Sequence, residues 1–434
     1  MTTLPPLVDE PPADSSPRQK APRITSIDAL RGFVMFTMIF VNDLAGAPRH
    51  LVPDWMVHYS DRHRGGSGMT FVDLVFPAFI FIVGMSIPFA LGSRLAKGEA
   101  LWKVLLHILG RTLALLMIGI IMVNELPDAG KLGWSPSLWA VLMFSSAILA
   151  FSAIAPRGGV AASPRPKFWK LLNLVIRGVG YAGLIWLAFA WRGKDEGDRI
   201  ITLSPFHINR EWYGILGLIA WAYLAVALVF LVFRGRRTAL LGCVALMTCF
   251  YAADRKGFFE DFWPNRYVDF GSTLGSQAAV AVAGLLLASI LVAPDMKQHR
   301  TRLGFTLLFI AGFAAAAMLT KGLYGISKNN ATPAWCLWAS AITAACWLLF
   351  YLVGDVARAS VVTKPFAIAG QNVLLAYLIS EMLPSLLPLL HLGDWYGHLA
   401  EASLGAAVGR SASCSVVILS LTALLNRVGF RLKL

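Results

Sequence analysis

The sequence has few charged residues for its length. Asp, Glu, Lys and Arg make up 14% of its 434 residues, against roughly 25% in a typical soluble domain. Hydrophobic residues account for 57%, and the mean hydropathy is +0.64. These figures exclude a disordered chain and leave too little polar surface for a soluble multidomain protein. The composition therefore predicts an all-α polytopic membrane protein.

Cysteines and acidic residues are also scarce. The five cysteines lie inside apolar stretches, so their spacing predicts buried thiols and neither a disulfide framework nor a metal site. The sequence has 24 acidic and 38 basic residues, which gives a net charge of +14. In a membrane protein such an excess normally marks cytoplasmic loops. No basic cluster carries the stacking aromatics of a nucleic-acid site, so nucleic-acid binding is not expected.

The beginning of the chain lacks an apolar core segment. Residues 1–23 are rich in Pro, Ser and charge, which is typical of a disordered tail and not of a signal peptide. We expect this tail to be cytoplasmic. Residues 24–434 are then expected to form a single transmembrane domain.

Apolar segments long enough to cross ~30 Å of hydrocarbon recur along the rest of the chain. They predict a bundle of about twelve transmembrane helices, at 27–45, 70–93, 101–123, 136–155, 170–190, 212–233, 238–253, 274–294, 303–323, 333–354, 365–390 and 403–426. The seventh is short, and Pro384 and Pro388 interrupt the eleventh. A count of 10 or 11 therefore stays open.

Basic residues fall on alternate loops, which predicts the orientation. One set of loops is basic with few carboxylates. The other set is longer, mixes both signs and carries six of the eight histidines, at 46–69, 124–135, 191–211, 254–273, 324–332 and 391–402. Both termini are therefore predicted to be cytoplasmic, and the long polar loops to face outward.

Ionisable groups at membrane depth often mark function. Asn42 and Asp43 come near the outer end of the first span, and Asp73 lies at the start of the second, ten residues after His63. We expect these four residues to meet at one depth. They offer a base or nucleophile, an amide that can stabilise an oxyanion, and carboxylates that can hold an imidazole.

Other polar residues leave alternatives open. His50 and His58 share the loop with His63, so spacing alone does not choose among the three histidines. Lys328 and Asn329 follow the ninth span on the outer side. In the eleventh span Asn372 is predicted nearer the inner side and Glu381 nearer the outer side, where a carboxylate in an apolar helix needs a partner.

Several motifs run in a family's order along nearly the whole chain. They are 27–32 (IDALRG), 40–42 (FVN), 70–84 (TFVDLVFPAFIFIVG), 119–121 with Asn124, 328–333 (KNNATP), 364–366 (KPF), 370–372 (GQN) and 380–381 (SE). With these motifs the chain resembles the heparan-alpha-glucosaminide N-acetyltransferase family, in a bacterial branch. The resemblance implies an acetyl-CoA-dependent transmembrane acyltransferase, which moves acetyl from the cytoplasm to a glucosamine-type amine on the periplasmic side.

The resemblance also implies residue roles. The family's histidine precedes the DLVFP block by ten residues, which gives His63, and its asparagine ends the first core helix, which gives Asn42. Asp73 and Asp43 would hold the imidazole. The cationic candidates for coenzyme A are Arg31, Arg94, Lys97 and Arg111, and the candidates for the acceptor are Lys328, Asn329, Asn372 and Glu381.

Two further functions stay open. One is a transporter or flippase for a sugar or glycan, although no clear repeat relates the two halves of the chain. The other is O-acetylation of an envelope polysaccharide. The expected partners are acetyl-CoA, an amino sugar or glycan acceptor, and the lipid bilayer, with no metal. A bacterial inner-membrane location is expected, and a homodimer is left open.

Overall fold

The computed structural model describes residues 25–434 except 64–65, 125, 157–158, 161–162, 196, 204–205, 209–211 and 294. The predicted tail at 1–23 lies outside the described residues. The first eight helices are α1 (Thr25–Leu44), α2 (Tyr59–Arg62), α3 (Val75–Ala96), α4 (Leu101–Val123), α5 (Ala129–Leu132), α6 (Pro136–Ala150), α7 (Pro166–Ala190) and α8 (Gly214–Phe233). The others are α9 (Arg237–Asp254), α10 (Ala278–Val292), α11 (His299–Tyr324), α12 (Pro333–Tyr351), α13 (Ser360–Ala369), α14 (Val373–Leu389), α15 (Gly393–His398) and α16 (Leu404–Arg427).

Short strands join loops at the surface of the bundle. β1 (Ser152–Ile154) pairs antiparallel with β4 (Phe430–Leu432), and β2 (Ile201–Leu203) pairs antiparallel with β3 (Phe206–Ile208). π-helical turns precede α10 at Ser272–Gln277 and follow α12 at Leu352–Val356.

The chain is a polytopic helical membrane protein. Among the described residues, 8 helices are long and apolar enough to cross a membrane, and 9 if the bent pair α13–α14 counts as one span. The eight include α3, α4, α7, α8, α10, α11, α12 and α16. Eleven of the predicted spans each overlap one helix, and the eleventh in chain order is divided between α13 and α14. The number of crossings and the orientation remain predictions.

The eleventh predicted span is broken, at a place the sequence does not indicate. α13 and α14 meet at an angle of 67° around residues 370–372, whereas α14 continues through Pro384 and Pro388. Two residues between α13 and α14 contact other parts of the chain. Gly370 packs on the backbone of α1, where an added Cβ would lie 2.1 Å from the Asp28 carbonyl oxygen. Asn372 hydrogen-bonds the backbone of β4.

Small residues allow the central helices to pack closely. A Cβ on Gly84 of α3 would lie 1.8 Å from the Ala281 carbonyl oxygen of α10. Conversely, a Cβ on Gly284 of α10 would lie 2.0 Å from the Phe81 carbonyl oxygen of α3. Helix α10 is buried along almost its whole length, so it forms the centre of the bundle.

The helices of the bundle end at two opposite faces, which are called the Arg31 end and the His58 end after one residue at each. α1 begins at the Arg31 end, where Arg31 contacts Ser86 at the middle of α3 and Phe33 packs on Phe350 in the last turn of α12. The His58 end holds the loop between α1 and α3, together with the start of α12, where the Trp335 indole donates to the Asp73 carbonyl.

Candidate active site

A histidine and a buried carboxylate are paired at the His58 end. His58 precedes the single turn of α2, and its Nδ1 lies 2.7 Å from Asp73 Oδ1. The side chain of Asp73 is 2% exposed, and its Oδ2 accepts hydrogen bonds from the backbone amides of Tyr59 and Thr70. A carboxylate held in this way fixes the ring: Nδ1 donates to Asp73, which leaves Nε2 as the acceptor atom.

A buried lysine stands beside the same imidazole. Nζ of Lys328, from the loop between α11 and α12, lies 3.1 Å from both ring nitrogens of His58. Burial lowers the pKa of Lys328, and the negative charges of Asp73 and Asp61 oppose that shift. Lys328, which the sequence analysis named as a candidate for binding the acceptor substrate, therefore lies next to the His58–Asp73 pair.

His63, the histidine favoured by the family offset, stands apart from this pair. It caps α2 at its C-terminal end, is exposed, and stacks on the Tyr59 ring with centroids 4.5 Å apart. It lines a polar pocket of about 390 Å³ together with Asp73, Lys328 and Asn329. The structure thus pairs Asp73 with His58 instead of His63, and the catalytic role of His63 stays a prediction.

Asn42 and Glu381 form a second group at this end. The Asn42 side-chain amide donates to Glu381 Oε1 at 3.0 Å, which joins α1 to α14. Glu381 therefore has the partner that its place in an apolar helix requires. Asn42 also lines a cavity of about 160 Å³ whose wall includes His58. The amide and the imidazole thus face one small space.

Asp43 belongs to a third group of side chains, and its described hydrogen bonds involve no histidine. Its carboxylate accepts from Arg410 Nε at 3.1 Å, Ser411 Oγ at 2.6 Å and the Tyr396 hydroxyl at 2.6 Å. The Arg410 side chain is 5% exposed and stacks over the Tyr396 ring. The four residues expected to meet therefore all lie at the His58 end, but in separate groups, and the described bonds of Asp43 tie α1 to α15 and α16.

The Arg31 end holds a cavity of about 430 Å³ with cationic walls. Arg31 donates to Asp28 at 3.1 Å and to Ser86 at 2.8 Å. Arg111 reaches the cavity from α4, lies over the Tyr223 ring at 4.8 Å, and has a buried Nε that no described group accepts from. Lys433, next to β4, adds a third cation to the lining.

A narrow apolar cavity of about 110 Å³ continues from the Arg31 end towards the other end. Arg111 borders both cavities. The narrow cavity reaches Met38 of α1 and Tyr377 of α14. These residues lie one helical turn below Asn42 and Glu381, on the same helix faces. The two adjoining cavities therefore extend from the cations of the Arg31 end to within one helical turn of the Asn42–Glu381 pair.

Comparison with known proteins finds similarity over part of the chain. A family described as a domain of unknown function (DUF5009) matches residues 23–155. The heparan-alpha-glucosaminide N-acetyltransferase of Homo sapiens is 36% identical over 113 residues, which is 26% of this chain and 16% of the human protein. The enzyme of the same name from Mus musculus is 35% identical over 117 residues, 27% of this chain and 16% of the mouse protein.

Over about a quarter of its length, 26% and 27% in the two alignments, the chain is similar to heparan-alpha-glucosaminide N-acetyltransferases. The aligned part spans about one sixth of the length of these curated relatives, 16% in each case. The expected family resemblance is confirmed at that level.

The remaining predicted residues divide between the two ends. Asn372, expected at the acceptor, lies in the wall of the cavity at the Arg31 end. Arg94 forms an ion pair with Glu99 at 3.1 Å, and Lys97 is exposed beyond the last turn of α3. Neither of these two is among the lining residues of that cavity. Of the four predicted cations, the structure brings Arg31 and Arg111 together.

Sequence reasoning did not single out His58 among the three loop histidines, and it missed Lys433. His58 lies in an irregular loop, where counting residues does not show which histidine contacts Asp73. Lys433 comes close to the cavity only because β4 pairs with β1 and Asn372 holds the Leu432 amide. Among the described residues, no group of three or more His, Cys, Asp or Glu side chains is arranged to hold a metal ion.

Proposed function

We propose that this protein is a transmembrane acetyltransferase, which carries acetyl from acetyl-CoA at the Arg31 end to an amine at the His58 end. The observation that carries the proposal is the pair of adjoining cavities, which begin at the cations of the Arg31 end and stop one helical turn from Asn42, while the His58–Asp73 pair lies at the opposite end. The related N-acetyltransferases support the reaction class. The Arg31 end is then cytoplasmic, as the loop charges predict.

The donor fits the cavity at the Arg31 end in shape and charge. Coenzyme A has anionic phosphates and a long, narrow pantetheine chain. Arg31, Arg111 and Lys433 offer charge-assisted donors to the phosphates, and the unpartnered Nε of Arg111 gains an acceptor. The narrow apolar cavity takes the chain and brings the thioester carbonyl towards Asn42. From Arg31 to Asn42 the distance along α1 is roughly 16 Å at 1.5 Å per residue.

His58 is the group we assign to receive the proton of the amine. The amine nitrogen bonds to the thioester carbonyl carbon, the carbon–sulfur bond breaks, and the amine proton passes to Nε2 while Asp73 stabilises the imidazolium. The imidazolium then passes that proton to the departing thiolate, so coenzyme A leaves as the thiol and His58 returns to its neutral form. Asn42 offers its amide to the carbonyl oxygen, where negative charge develops. Nζ of Lys328, itself a primary amine 3.1 Å from Nε2, marks a position from which an acceptor amine would reach the base.

The polar pocket beside His63 suits the acceptor. Its wall combines His63, Lys328, Asn329 and Asp73 with residues 66–68 and 325–327. Hydrogen-bonding groups spread over such a surface match the hydroxyls of a sugar. We therefore propose an amino sugar or a glycan bearing one as the acceptor, and assign His63 to its binding.

Transfer across a sealed membrane tests the proposal. The protein is reconstituted in liposomes, radiolabelled acetyl-CoA is supplied on one side only, and glucosamine is supplied on the other. We expect labelled N-acetylglucosamine on the acceptor side. Arg111→Met should raise the KM for acetyl-CoA, because it removes the cation shared by both cavities, while exposed Lys97→Met should not.

Two results would contradict the proposal. One is glucosamine crossing the liposome membrane unmodified, which would favour a transporter. The other is label transferred to a polysaccharide hydroxyl but to no amine, which would favour O-acetylation.

A further inference from the structure

A long apolar groove runs along the outside of the bundle, remote from the cavities described above. Its walls are one face of α9 and one face of α11, and its floor includes Leu286 of α10 and Leu337 of α12. Its volume is about 710 Å³. Leu241 and Leu308 on its walls are 54% and 71% exposed. The described side chains leave this groove open to the surrounding membrane.

The depth of the groove matches one leaflet. On α9 it extends from Arg237 to Thr248, about 16 Å at 1.5 Å per residue, and on α11 from Phe305 to Thr320, about 22 Å. Half of a ~30 Å hydrocarbon core is ~15 Å. A fatty acyl chain entering from the Arg31 end would therefore lie against apolar side chains over its whole length.

The end of the groove at the membrane surface is basic. α9 and α11 both begin there, so two helix N-termini present their partial positive charge at one point. Exposed Arg236 precedes α9, and Lys297 and Arg300 lie at the start of α11. At the rim, Arg237 stacks over Phe305 and donates two hydrogen bonds to Asp295, whose side chain is 64% exposed.

We propose that this groove binds an anionic phospholipid from the leaflet at the Arg31 end. One acyl chain occupies the groove between α9 and α11, and the headgroup phosphate lies at the basic helix starts. Basic pockets between transmembrane helices on the cytoplasmic side are a recognised form of anionic-lipid site. Asp295 competes with the phosphate for Arg237, so this carboxylate limits the affinity.

Mass spectrometry of the intact protein tests the site directly. Detergent-purified, delipidated full-length protein is mixed with phosphatidylglycerol or with phosphatidylcholine of the same acyl chains, and both lipid adducts and melting temperature are measured. We expect phosphatidylglycerol to be retained preferentially and to raise the melting temperature more than phosphatidylcholine does. Asp295→Asn should increase both effects, and the double change Arg236→Gln, Lys297→Gln should reduce them.

A matched pair of substitutions separates the groove from the rest of the surface. Gly312 lines the groove and Gly322 does not, yet both lie on α11 and a Cβ on either meets nothing within 4 Å. Gly312→Trp should fill the groove and remove the preference for phosphatidylglycerol, while Gly322→Trp should keep it. The helix gains the same side chain in both variants, so folding effects are matched.

Three results would overturn the assignment. The two lipids could bind equally, Gly312→Trp could retain the phosphatidylglycerol adduct, or Gly312→Trp could convert a dimer to a monomer without loss of lipid. The last result would show that a second copy of the chain covers the groove. None of these measurements depends on acetyl transfer, so they are independent of the proposed function.

Discussion

At the residue scale, the pairing of one imidazole with one buried carboxylate decides which histidine is suited to proton transfer. Asp73 holds His58 by a 2.7 Å contact, whereas His63 stacks on Tyr59 and is exposed. A base needs a fixed tautomer and an acceptor atom directed at the reacting group. His58 meets the first condition through Asp73, and it shares a small cavity with Asn42.

Alanine substitution of the three loop histidines distinguishes these roles. We expect His58→Ala to lower kcat by 10²–10⁴-fold, the usual contribution of a general base, with the KM for acetyl-CoA nearly unchanged. His63→Ala should mainly raise the KM for the acceptor, and exposed His50→Ala should resemble the wild type. Steady-state kinetics on folded, detergent-solubilised protein provides the comparison. If His63→Ala loses kcat while His58→Ala keeps it, the base is His63, the residue given by the family offset.

The buried ion pair of Asp43 and Arg410 predicts a stability effect. Removing one partner of a buried pair leaves an unpaired charge and typically costs about 3–5 kcal/mol. Arg410→Met should therefore lower the melting temperature strongly, and Asp43→Asn added to it should recover part of the loss. Arg427→Met, at the exposed end of the same helix, is the control and should have little effect. Equal melting temperatures for the two Arg variants would show that the pair contributes little.

At the scale of the element, close helix packing governs the core. α3 and α10 approach so closely at Gly84 that an added methyl group would overlap the Ala281 carbonyl oxygen. The break between α13 and α14 likewise depends on Gly370 packing on α1. Positions of this kind transmit any change in side-chain volume to the backbone of a neighbouring helix.

Two glycine-to-alanine changes test the packing of the helices. Gly84→Ala should destabilise the protein by about 1–3 kcal/mol, the usual cost of overpacking a core. Gly110→Ala, in α4, meets nothing within 4 Å and should be neutral or stabilising by about 0.5–1 kcal/mol, because alanine favours helix over glycine. Thermal unfolding in detergent measures both. A Gly84→Ala variant as stable as the wild type would mean that the two helices separate readily.

At the scale of the whole molecule, the proposed function requires that the Arg31 end and the His58 end face opposite sides of the membrane. The loop charges predict the Arg31 end inside and the His58 end outside. Because acetyl-CoA is cytoplasmic in the proposed reaction, the orientation of the bundle sets the direction of acetyl transfer.

Labelling of single cysteines tests that orientation. In a background without the five natural cysteines, Asp54→Cys should react with a membrane-impermeant maleimide in intact cells, since its side chain is exposed at the His58 end. Lys97→Cys, exposed at the Arg31 end, should react only after permeabilisation. The opposite pattern would invert the topology.

The sequence by itself determined the class of the protein and named several residues of the candidate site. Apolar segments must form helices in a membrane because their backbone groups need internal hydrogen bonds, so each predicted span is helical, although the eleventh is divided between two helices. Asn42, Asp73 and Lys328 could be chosen because polar groups near an apolar helix are costly without a role. The sequence also indicated Arg31 and Arg111 as a set with Arg94 and Lys97, but it could not choose among them.

Only the tertiary structure decided which side chains meet. The contact of His58 with Asp73 depends on how a long loop folds back, and counting residues along an irregular loop does not fix a distance. Asn372 belongs to the Arg31 end because the chain breaks at 370–372, where the backbone of α1 leaves no space for a Cβ on Gly370. Asp43 binds Arg410 because α16 packs beside α1. Contacts between helices distant in sequence depend on side-chain shape and backbone approach, which a hydropathy pattern does not record.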